Sequence, residues 1–334
     1  MKKYLTLFLA LCMVFALCAC GGPKTAEYTL GMGIMINTDS SKENHAQVDA
    51  TLAAVVLDTE GKIVSCRLDC VQNKMDLEDG VVDTGATFKT KMELGDDYNM
   101  VKYSDAIAEW YDQAKAFETF VTGKTIAEVK AIPTKTNDEG YQVSADETLS
   151  AGCTIQITDF IGAVEKAGND KWAQKFSSDG NFKLGVAAKS TANESVNATE
   201  DEPALVKMYS EYAASVVGAD GKILCCLNDA TQPVVKIAKD GAFVESDASK
   251  GTKRELGENY NMVKFGNAIA EWDAQSDAFS KYCIGKTAAE VLAIETKTND
   301  EGYQVSTDET LLASCTISIQ GMMAVIAQAA EYAR

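Results

Sequence analysis

Two short turns of small residues have the composition of a site for an anionic group such as a phosphate. Small side chains let backbone N–H groups approach an anion, and a helix that starts beside the turn adds a favourable dipole. A threonine hydroxyl in each turn could donate a further hydrogen bond. The same pattern also suits a tight strand-to-helix turn with the threonine as N-cap. The candidate residues are Gly152, Cys153 and Thr154 in one turn, and Ser314, Cys315 and Thr316 in the other.

A second candidate site combines charged, aromatic and thioether side chains. The segment Lys91–Gly95 is followed by Tyr98 and Met100, and an equivalent segment, Lys253–Gly257, is followed by Tyr260. A tyrosine ring can stack on a flat ring, so Tyr98 and Tyr260 are candidate ligand contacts. Because both segments precede a predicted helix, this cluster is the better candidate for a pocket.

A third repeated feature lies where a predicted strand ends. It is Asp69 with Gln72 in the first half of the chain and Asp229 with Gln232 in the second. These residues could line a shared pocket, or they could be turn formers with a solvated glutamine.

Several classes of chemistry lack the residues that they require. His45 is the only histidine, so a Ser-His-Asp arrangement cannot be duplicated and a histidine-based metal site cannot be built. Neither a Gly-x-Gly-x-x-Gly motif nor a P-loop is present. The sequence therefore predicts no catalytic residues and no metal site, and a hydrolase is the least favoured function.

The chain is strongly acidic, with a formal net charge of −18. No cluster of lysine and arginine stands out against this charge. Nucleic-acid binding and adhesion to an anionic lipid surface are disfavoured, because each needs a basic surface.

The N-terminal segment has the features of an export signal. Lys2 and Lys3 precede an apolar run, Tyr4–Leu17, that is too short to span a bilayer comfortably. The run ends in Leu-Cys-Ala-Cys-Gly-Gly, which resembles the lipobox of bacterial lipoproteins. This resemblance implies cleavage before Cys20, its acylation, and attachment to the extracytoplasmic face of the cell membrane. The alternative is an ordinary signal peptide that leaves Cys20 free.

The cysteines that follow Cys20 do not form a disulfide pattern. Their number is odd, and none lies in a Cys-x-x-Cys motif. We therefore predict buried free thiols. These cysteines are Cys66, Cys70, Cys153, Cys225, Cys226, Cys283 and Cys315.

The chain contains an internal duplication. The segment Thr134–Ser144 recurs letter for letter as Thr296–Ser306. Tyr98–Lys102 likewise recurs as Tyr260–Lys264 at the same offset of 162 positions. A repeat of roughly 140 residues is a normal domain size, which predicts two domains that fold independently into the same shape. The predicted units are residues 1–19 (signal peptide), 20–27 (tether), 28–168 (repeat one), 169–182 (linker) and 183–334 (repeat two).

Each repeat has the pattern of a small α+β unit. In repeat one, Val48–Asp58 and Ile63–Asp69 are predicted to form a β-hairpin. Tyr103–Val121 is predicted to be a helix that begins at an N-cap, Ser104, and buries a stripe at helical spacing that includes Ile107 and Trp110. The predicted fold class is therefore α+β, with two tandem homologous domains, each a small antiparallel sheet packed with helices.

Further local patterns complete the predicted unit. Thr125–Ile132 is predicted to be a short helix capped by Thr125. The copied eleven residues are predicted to form a polar loop with Asn137–Gly140 as its turn, and a final helix follows each small-residue turn. Trp172 and Phe176 predict that the linker packs against a repeat.

The order of these features resembles the FMN-binding domain family of exported electron-transfer lipoproteins. The resemblance covers each repeat nearly end to end. It implies that the small-residue turns bind an FMN phosphate and that the protein passes electrons. The matching segments are Glu60–Ile63 and Asp220–Ile223 in the hairpins, and Ala151–Thr154 and Ala313–Thr316 in the turns.

The chain departs from that family where a flavin would be attached covalently. Covalently flavinylated members carry a threonine at the last position of the turn motif, and this chain has Gln156 in repeat one and Ser318 in repeat two. The sequence therefore predicts a membrane-anchored extracytoplasmic lipoprotein that binds FMN noncovalently and exchanges electrons with a redox partner protein. The alternative is a non-redox lipoprotein that recognises a small ligand, a cell-wall component or a partner protein.

Overall fold

The computed structural model of the protein describes residues 25–248, 251–266 and 268–334. The predicted signal peptide, Cys20 and most of the tether lie outside these ranges. Within them the chain is a mixed α+β protein, which confirms the predicted fold class. None of the helices in this part of the chain is long and apolar enough to cross a membrane.

The first sheet is antiparallel and has the strand order β3-β2-β1-β6. The pairing of β2 with β3 across the turn at Gly61 confirms the predicted hairpin. The sequence did not predict β1, nor that the segment after repeat one supplies β6. The strands are β1 (Ala26–Asn37), β2 (His45–Leu57), β3 (Ile63–Asp76) and β6 (Gln174–Ser178).

Helices cover one face of this sheet. The two longer ones, α3 (Trp110–Val121) and α6 (Thr158–Gly168), pack on strands β1 to β3. Thr125 caps α4 (Ile126–Lys130), which confirms the predicted cap. The other elements are α1 (Lys91–Leu94), a 3-10 turn (Gly95–Tyr98), α2 (Met100–Tyr103), β4 (Thr134–Thr136), β5 (Gln142–Ser144) and α5 (Glu147–Ser150).

In the described residues, repeat two has equivalent helices in the same order, but more strands precede them than in repeat one. Its main sheet is β10-β9-β7, and a smaller one is β12-β11-β8. The strands are β7 (Phe182–Thr191), β8 (Ala204–Lys207), β9 (Tyr209–Gly218), β10 (Ile223–Thr231), β11 (Val234–Ile237), β12 (Phe243–Ser246), β13 (Thr296–Thr298) and β14 (Gln304–Ser306). The helices are α7 (Lys253–Leu256), α8 (Met262–Gly266), α9 (Trp272–Cys283), α10 (Ala288–Leu292), α11 (Glu309–Leu312) and α12 (Gln320–Glu331).

A proline explains why repeat two has two small sheets where repeat one has continuous long strands. Pro233 lies between β10 and β11, and a proline cannot donate a ladder hydrogen bond. Its carbonyl accepts the N–H of Met208, which lies between β8 and β9, at 3.4 Å. The residue of repeat one at the same position, Asn73, continues β3 without a break.

The predicted helix Tyr103–Val121 is wrong in its first third. Helix α2 ends at Tyr103, and Ser104 is its C-cap rather than the N-cap of the next helix, whose N-cap is Glu109. Helix α3 begins only at Trp110, which is buried as predicted. Ile107, predicted on the buried stripe, is 55% exposed.

Glu109 accounts for this break. Its carboxylate accepts hydrogen bonds from the N–H groups of Met100 and Val101, at 2.8 and 3.1 Å. These are unsatisfied N-terminal donors of α2, so the short helix folds back onto the start of α3 instead of continuing into it. Glu271 makes the same two contacts at the start of α8 in repeat two.

The copied eleven residues form a small antiparallel hairpin in each repeat. The predicted turn is confirmed: Gly140 has φ +89°, and Oδ1 of Asn137 accepts the N–H groups of Glu139 and Tyr141 at 3.2 and 2.8 Å. The flanks, predicted to be a polar loop, pair as strands β4 and β5. The turn geometry accounts for the asparagine and the glycine in both copies, because a positive φ favours glycine.

Both faces of the central sheets are buried. Successive side chains of a strand point to opposite faces. On β2, Val55 packs against the helices of repeat one, whereas Leu52 and Val56 pack in a cluster with Tyr212 and Val216 of repeat two. Each repeat therefore has its own core between sheet and helices, and the two sheets share a third core between them.

The segment predicted as a linker is part of this interior. Strand β6 pairs with β1, and the ring of Phe176 stacks on that of Tyr28, with 5.6 Å between the ring centres. The predicted packing against a repeat is therefore confirmed for Phe176. Trp172 reaches the other repeat, where its Nε1–H donates to Oδ2 of Asp273 at 3.2 Å.

Candidate functional site

Buried glutamines hold the two small-residue turns. Thr154 donates its backbone N–H and its hydroxyl to Oε1 of Gln113, at 2.8 and 3.2 Å. Thr316 donates the same two groups to Gln275 at the same two distances. Both glutamines are fully buried, Gln113 on α3 and Gln275 on α9. The donors that a phosphate would need are therefore already used within the protein.

The other residues of these turns are packed into the protein. Burial raises the pKa of the Cys153 thiol and of the Cys315 thiol to about 11. An added Cβ on Gly152 would lie 3.0 Å from the Cβ of Ala116. The Ser314 hydroxyl donates to a carbonyl of α11 at 3.3 Å. The cysteines in the described part of the chain are all buried and free, in agreement with the predicted thiols.

The predicted tyrosine cluster forms around a lysine. The ammonium group of Lys91 lies 4.8 Å from the ring centre of Tyr98 and 5.6 Å from that of Trp110. The Tyr98 hydroxyl donates to Oε1 of Gln72 at 3.3 Å, so Gln72 is part of this cluster. The cation already interacts with the tyrosine ring. The same arrangement in repeat two consists of Lys253, Tyr260, Trp272 and Gln232.

Asp69 and Asp229 fix the start of a one-turn helix in each repeat. Oδ1 of Asp69 accepts the N–H groups of Cys70 and Met92, at 2.7 and 3.2 Å. Oδ1 of Asp229 accepts the N–H of Arg254 at 3.1 Å. Desolvation raises the pKa of Asp69 to about 7 and that of Asp229 to about 6, although these hydrogen bonds oppose the shift.

A cavity of about 500 Å³ lies where repeat one meets the end of α12. Its lining combines aromatic and thioether groups with charges of both signs. The Tyr111 hydroxyl donates to Oδ1 of Asp96 at 3.0 Å, which fixes the ring at the edge of the cavity. The lining residues used below are Asp69, Met92, Glu93, Asp96, Tyr111 and Lys115 from repeat one, and Val186, Tyr332 and Arg334 from repeat two.

One end of this cavity is positively charged. Arg334 contacts the buried carboxylate of Glu118 at 2.7 Å, and Arg67 contacts the same carboxylate at 3.4 Å. Lys115 lies beside them and contacts the exposed Asp112 at 3.6 Å. Arg67 also donates to the backbone oxygen of Arg334. Lys115, which is about half exposed, is the cation most accessible to a ligand. Carboxylates from the one-turn helix and the 3-10 turn, Glu93 and Asp96, also line the cavity.

Sequence reasoning found one side of the cavity and missed the other. The segment Lys91–Gly95, predicted as a pocket candidate, does supply lining residues. Tyr332 and Arg334 were missed because their contact with repeat one is remote in sequence; the nearby Gln328 donates to Glu93, 235 positions earlier. One feature of the sequence could have indicated this contact between the repeats. The run Val48–Asp58 has apolar residues on both faces, which indicates a strand buried on both sides.

The fold and the cavity define an α+β protein of tandem repeats with a ligand-sized cavity where the repeats meet. No protein-family model matches the chain. Chlorophenol reductase from Desulfitobacterium hafniense is 26% identical over 164 residues, which are 43% of this chain and 50% of that protein. The chain therefore spans about half the length of this relative.

The comparison with solved structures gives no usable likeness. An exported protein with a YmcC-like fold from Bacteroides fragilis aligns over 68% of this chain and 90% of that chain, at 8% identity. The TM-score is 0.11, which is too low to indicate a shared fold.

Proposed function

We propose that this chain is a lipid-anchored extracytoplasmic protein that takes part in electron transfer and binds FMN or a similar flavin without a covalent bond. The relative named chlorophenol reductase supports a redox-related role, because a reductase receives electrons and passes them on. The lipobox-like sequence before Cys20 supports attachment to the membrane, where a redox partner protein would exchange electrons with it.

The cavity between the repeats is the observation that carries this proposal. Its volume of about 500 Å³ lies within the range of roughly 300–1,000 Å³ that is usual for small-molecule sites. Tyr111 and Tyr332 offer aromatic rings against which a flavin ring could stack. Lys115 and Arg334 offer the cationic donors that a phosphate group prefers.

The cavity suits an anionic flavin better than the small-residue turns do. A phosphate beside Thr154 would have to displace Gln113 from both donors, and would leave the buried glutamine oxygen without partners. An unsatisfied buried acceptor costs roughly 1–3 kcal/mol. The same argument applies to Thr316 with Gln275. We therefore propose the cavity, rather than the turns that the family resemblance implies, as the flavin site.

Two carboxylates in the lining favour a second candidate function. Glu93 and Asp96 also line the cavity and would repel a phosphate. They would instead attract the positive group of a cationic ligand. A non-redox binding lipoprotein for a small cationic molecule is therefore the alternative.

Titration of the purified mature protein with FMN, followed by quenching of the FMN fluorescence, tests the first proposal. We expect saturable binding of one FMN per chain. The Lys115→Glu variant should bind at least about tenfold more weakly, because a hydrogen bond to a charged group contributes roughly 1.5–3 kcal/mol. Lys115 is about half exposed, so this change should leave the fold intact.

The Thr154→Val variant is the matched control for the two candidate sites. If the cavity is the site, this variant binds FMN like the unaltered chain. Weaker FMN binding by Thr154→Val together with normal FMN binding by Lys115→Glu would indicate that the flavin binds at the turn and not in the cavity. A colourless protein that leaves FMN fluorescence unchanged would reject the flavin proposal. Mass spectrometry of the membrane-extracted protein would show whether Cys20 carries lipid.

A further inference from the structure

The duplication gives each repeat an equivalent corner. In corner one, α1 and α3 of repeat one meet residues 332–334 around the cavity. In corner two, α7 and α9 of repeat two meet residues 170–172, which follow the last helix of repeat one. Because Arg334 lies 162 positions after Trp172, the offset of the duplication, both corners are built from the same parts of the repeated unit.

Two hydrogen bonds show that the corners are assembled in the same way. In corner one, Oε1 of Glu93 accepts a hydrogen bond from Gln328 of α12 at 2.6 Å. In corner two, Oε1 of the equivalent Glu255 accepts one from Lys166 of α6, also at 2.6 Å. Gln328 and Lys166 are themselves equivalent positions. Each repeat therefore contacts the last helix of the other through the same pair of residues.

The side chain of Arg254 fills corner two. It donates to the carbonyl of Asn228 at 2.6 Å and to the hydroxyl of Ser276 at 3.0 Å. It also forms an ion pair of 2.8 Å with Asp277, and its guanidinium carbon lies 5.9 Å from the ring centre of Trp172. Only 3% of the arginine is exposed. This corner is therefore occupied by a buried, ion-paired side chain of the protein.

Corner one differs at the positions that hold this arginine. The thioether of Met92 carries no charge to pair, and the ammonium group of Lys115 would repel a guanidinium. The side chain of Arg334 turns away to Glu118, at 2.7 Å. Without these interactions, the space remains open. The pairs of equivalent residues are Met92 with Arg254, Lys115 with Asp277, and Arg334 with Trp172.

We infer that the chain binds one flavin rather than two, because corner two is filled by Arg254 and lacks the groups proposed to hold the flavin. The positions of Tyr111, Tyr332, Lys115 and Arg334 are occupied in corner two by Asp273, Asp170, Asp277 and Trp172. This inference rests on the proposed function. The guanidinium lies 5.9 Å from the ring centre of Trp172, and it neutralises Asp277. Removing one partner of a buried ion pair leaves an uncompensated charge. A ligand that displaced the arginine would therefore leave Asp277 buried without its counter-ion, so corner two stays closed.

Exchange of the corner residues tests this inference by the stoichiometry of FMN binding. The opened variant, Arg254→Met with Asp277→Lys, Trp172→Arg, Asp273→Tyr and Asp170→Tyr, gives corner two the residues that corner one has at these five positions. The closed variant, Met92→Arg with Lys115→Asp, gives corner one the ion pair of corner two. We expect one FMN per chain for the unaltered protein, two for the opened variant and none for the closed variant. Circular dichroism and thermal unfolding show whether each variant is folded.

The possible outcomes separate the inference from the proposal on which it rests. One FMN in the unaltered protein and one in the folded opened variant would overturn the inference and leave the proposed function standing. No FMN in the unaltered protein would overturn both. If the opened variant does not fold, the closed variant decides by comparison with Lys115→Asp alone, which removes the same cation without adding the arginine. A closed variant that binds FMN as well as Lys115→Asp does would show that the arginine does not close a corner.

Discussion

The hydrogen-bond partners of Thr154 and Thr316 decide whether the small-residue turns are free to bind a phosphate or only hold the turn together. The sequence supplies a threonine that could serve a phosphate or hold a turn, and both uses need the same two donors. Gln113 accepts both donors of Thr154 from a position 41 residues earlier, and Gln275 does the same for Thr316. The sequence could not settle this choice, because nothing in the turn itself indicates which distant acceptor folds onto it.

Asp69 should give the protein a pH-dependent stability. Burial raises its pKa from 3.8 to about 7, so the folded state keeps a proton that the unfolded state releases between these values. The free energy of unfolding therefore falls as the pH rises through this window, by up to about 1.4 kcal/mol per pH unit for this group. The Asp69→Asn variant, whose amide oxygen can still accept both backbone N–H groups, should show a shallower fall. Urea unfolding between pH 4 and 7 measures it.

The equivalent residue of repeat two is the control for this prediction. The pKa of Asp229 is raised to about 6, so Asp229→Asn should flatten the pH dependence over a narrower window that ends about one unit lower. An Asp69→Asn protein with the same slope as the unaltered chain would show that this carboxyl ionises normally in the folded state.

At the scale of whole elements, the strand that the sequence did not predict is explained by its contact with a helix. Strand β1 contains Gly31 and Gly33, and glycine weakens a strand pattern. In the structure, an added Cβ on Gly31 would lie 2.0 Å from the carbonyl oxygen of Ala167. The hairpin of β2 and β3 was predictable because its alternation is local. Strand β1 could not be predicted in this way, because its glycines allow the close approach of a helix more than 130 positions away.

The close approach of helix to strand gives a prediction about these glycines. Gly31→Ala should push α6 away from β1 and lower the free energy of unfolding by about 1–3 kcal/mol, the usual cost of overpacking. Gly185→Ala should act in the same way on α12, because its Cβ would lie 2.0 Å from the carbonyl oxygen of Ala329. Urea unfolding of both variants measures the loss.

An exposed helical glycine provides the control. Gly266 in α8 has no atom within 4 Å of an added Cβ. Gly266→Ala should therefore be neutral or slightly stabilising, since alanine favours a helix. If Gly31→Ala unfolded at the same urea concentration as Gly266→Ala, the helix would not lie as close to β1 as described.

At the scale of the whole molecule, the cavity forms because the two repeats pack against each other and both supply its lining residues. The repeated segments predict two similar units, and each unit has a core of its own. No pattern within one repeat indicates where the other touches it. The position of Arg334 beside Glu118 therefore could not be predicted from the sequence, although the apolar character of both faces of β2 indicates that something covers the sheet.

The shared core between the sheets leads to a prediction about the separated repeats. Leu52 and Val56 pack with Tyr212 and Val216, so either repeat alone would expose an apolar sheet face to water. The fragments 25–178 and 182–334, produced separately, should aggregate, dimerise or fail to unfold cooperatively. Produced together, they should form a one-to-one complex with the near-ultraviolet circular dichroism of the intact chain. Size-exclusion chromatography with light scattering distinguishes these results, and two monomeric fragments that unfold cooperatively would instead favour the independent domains that the duplication predicts.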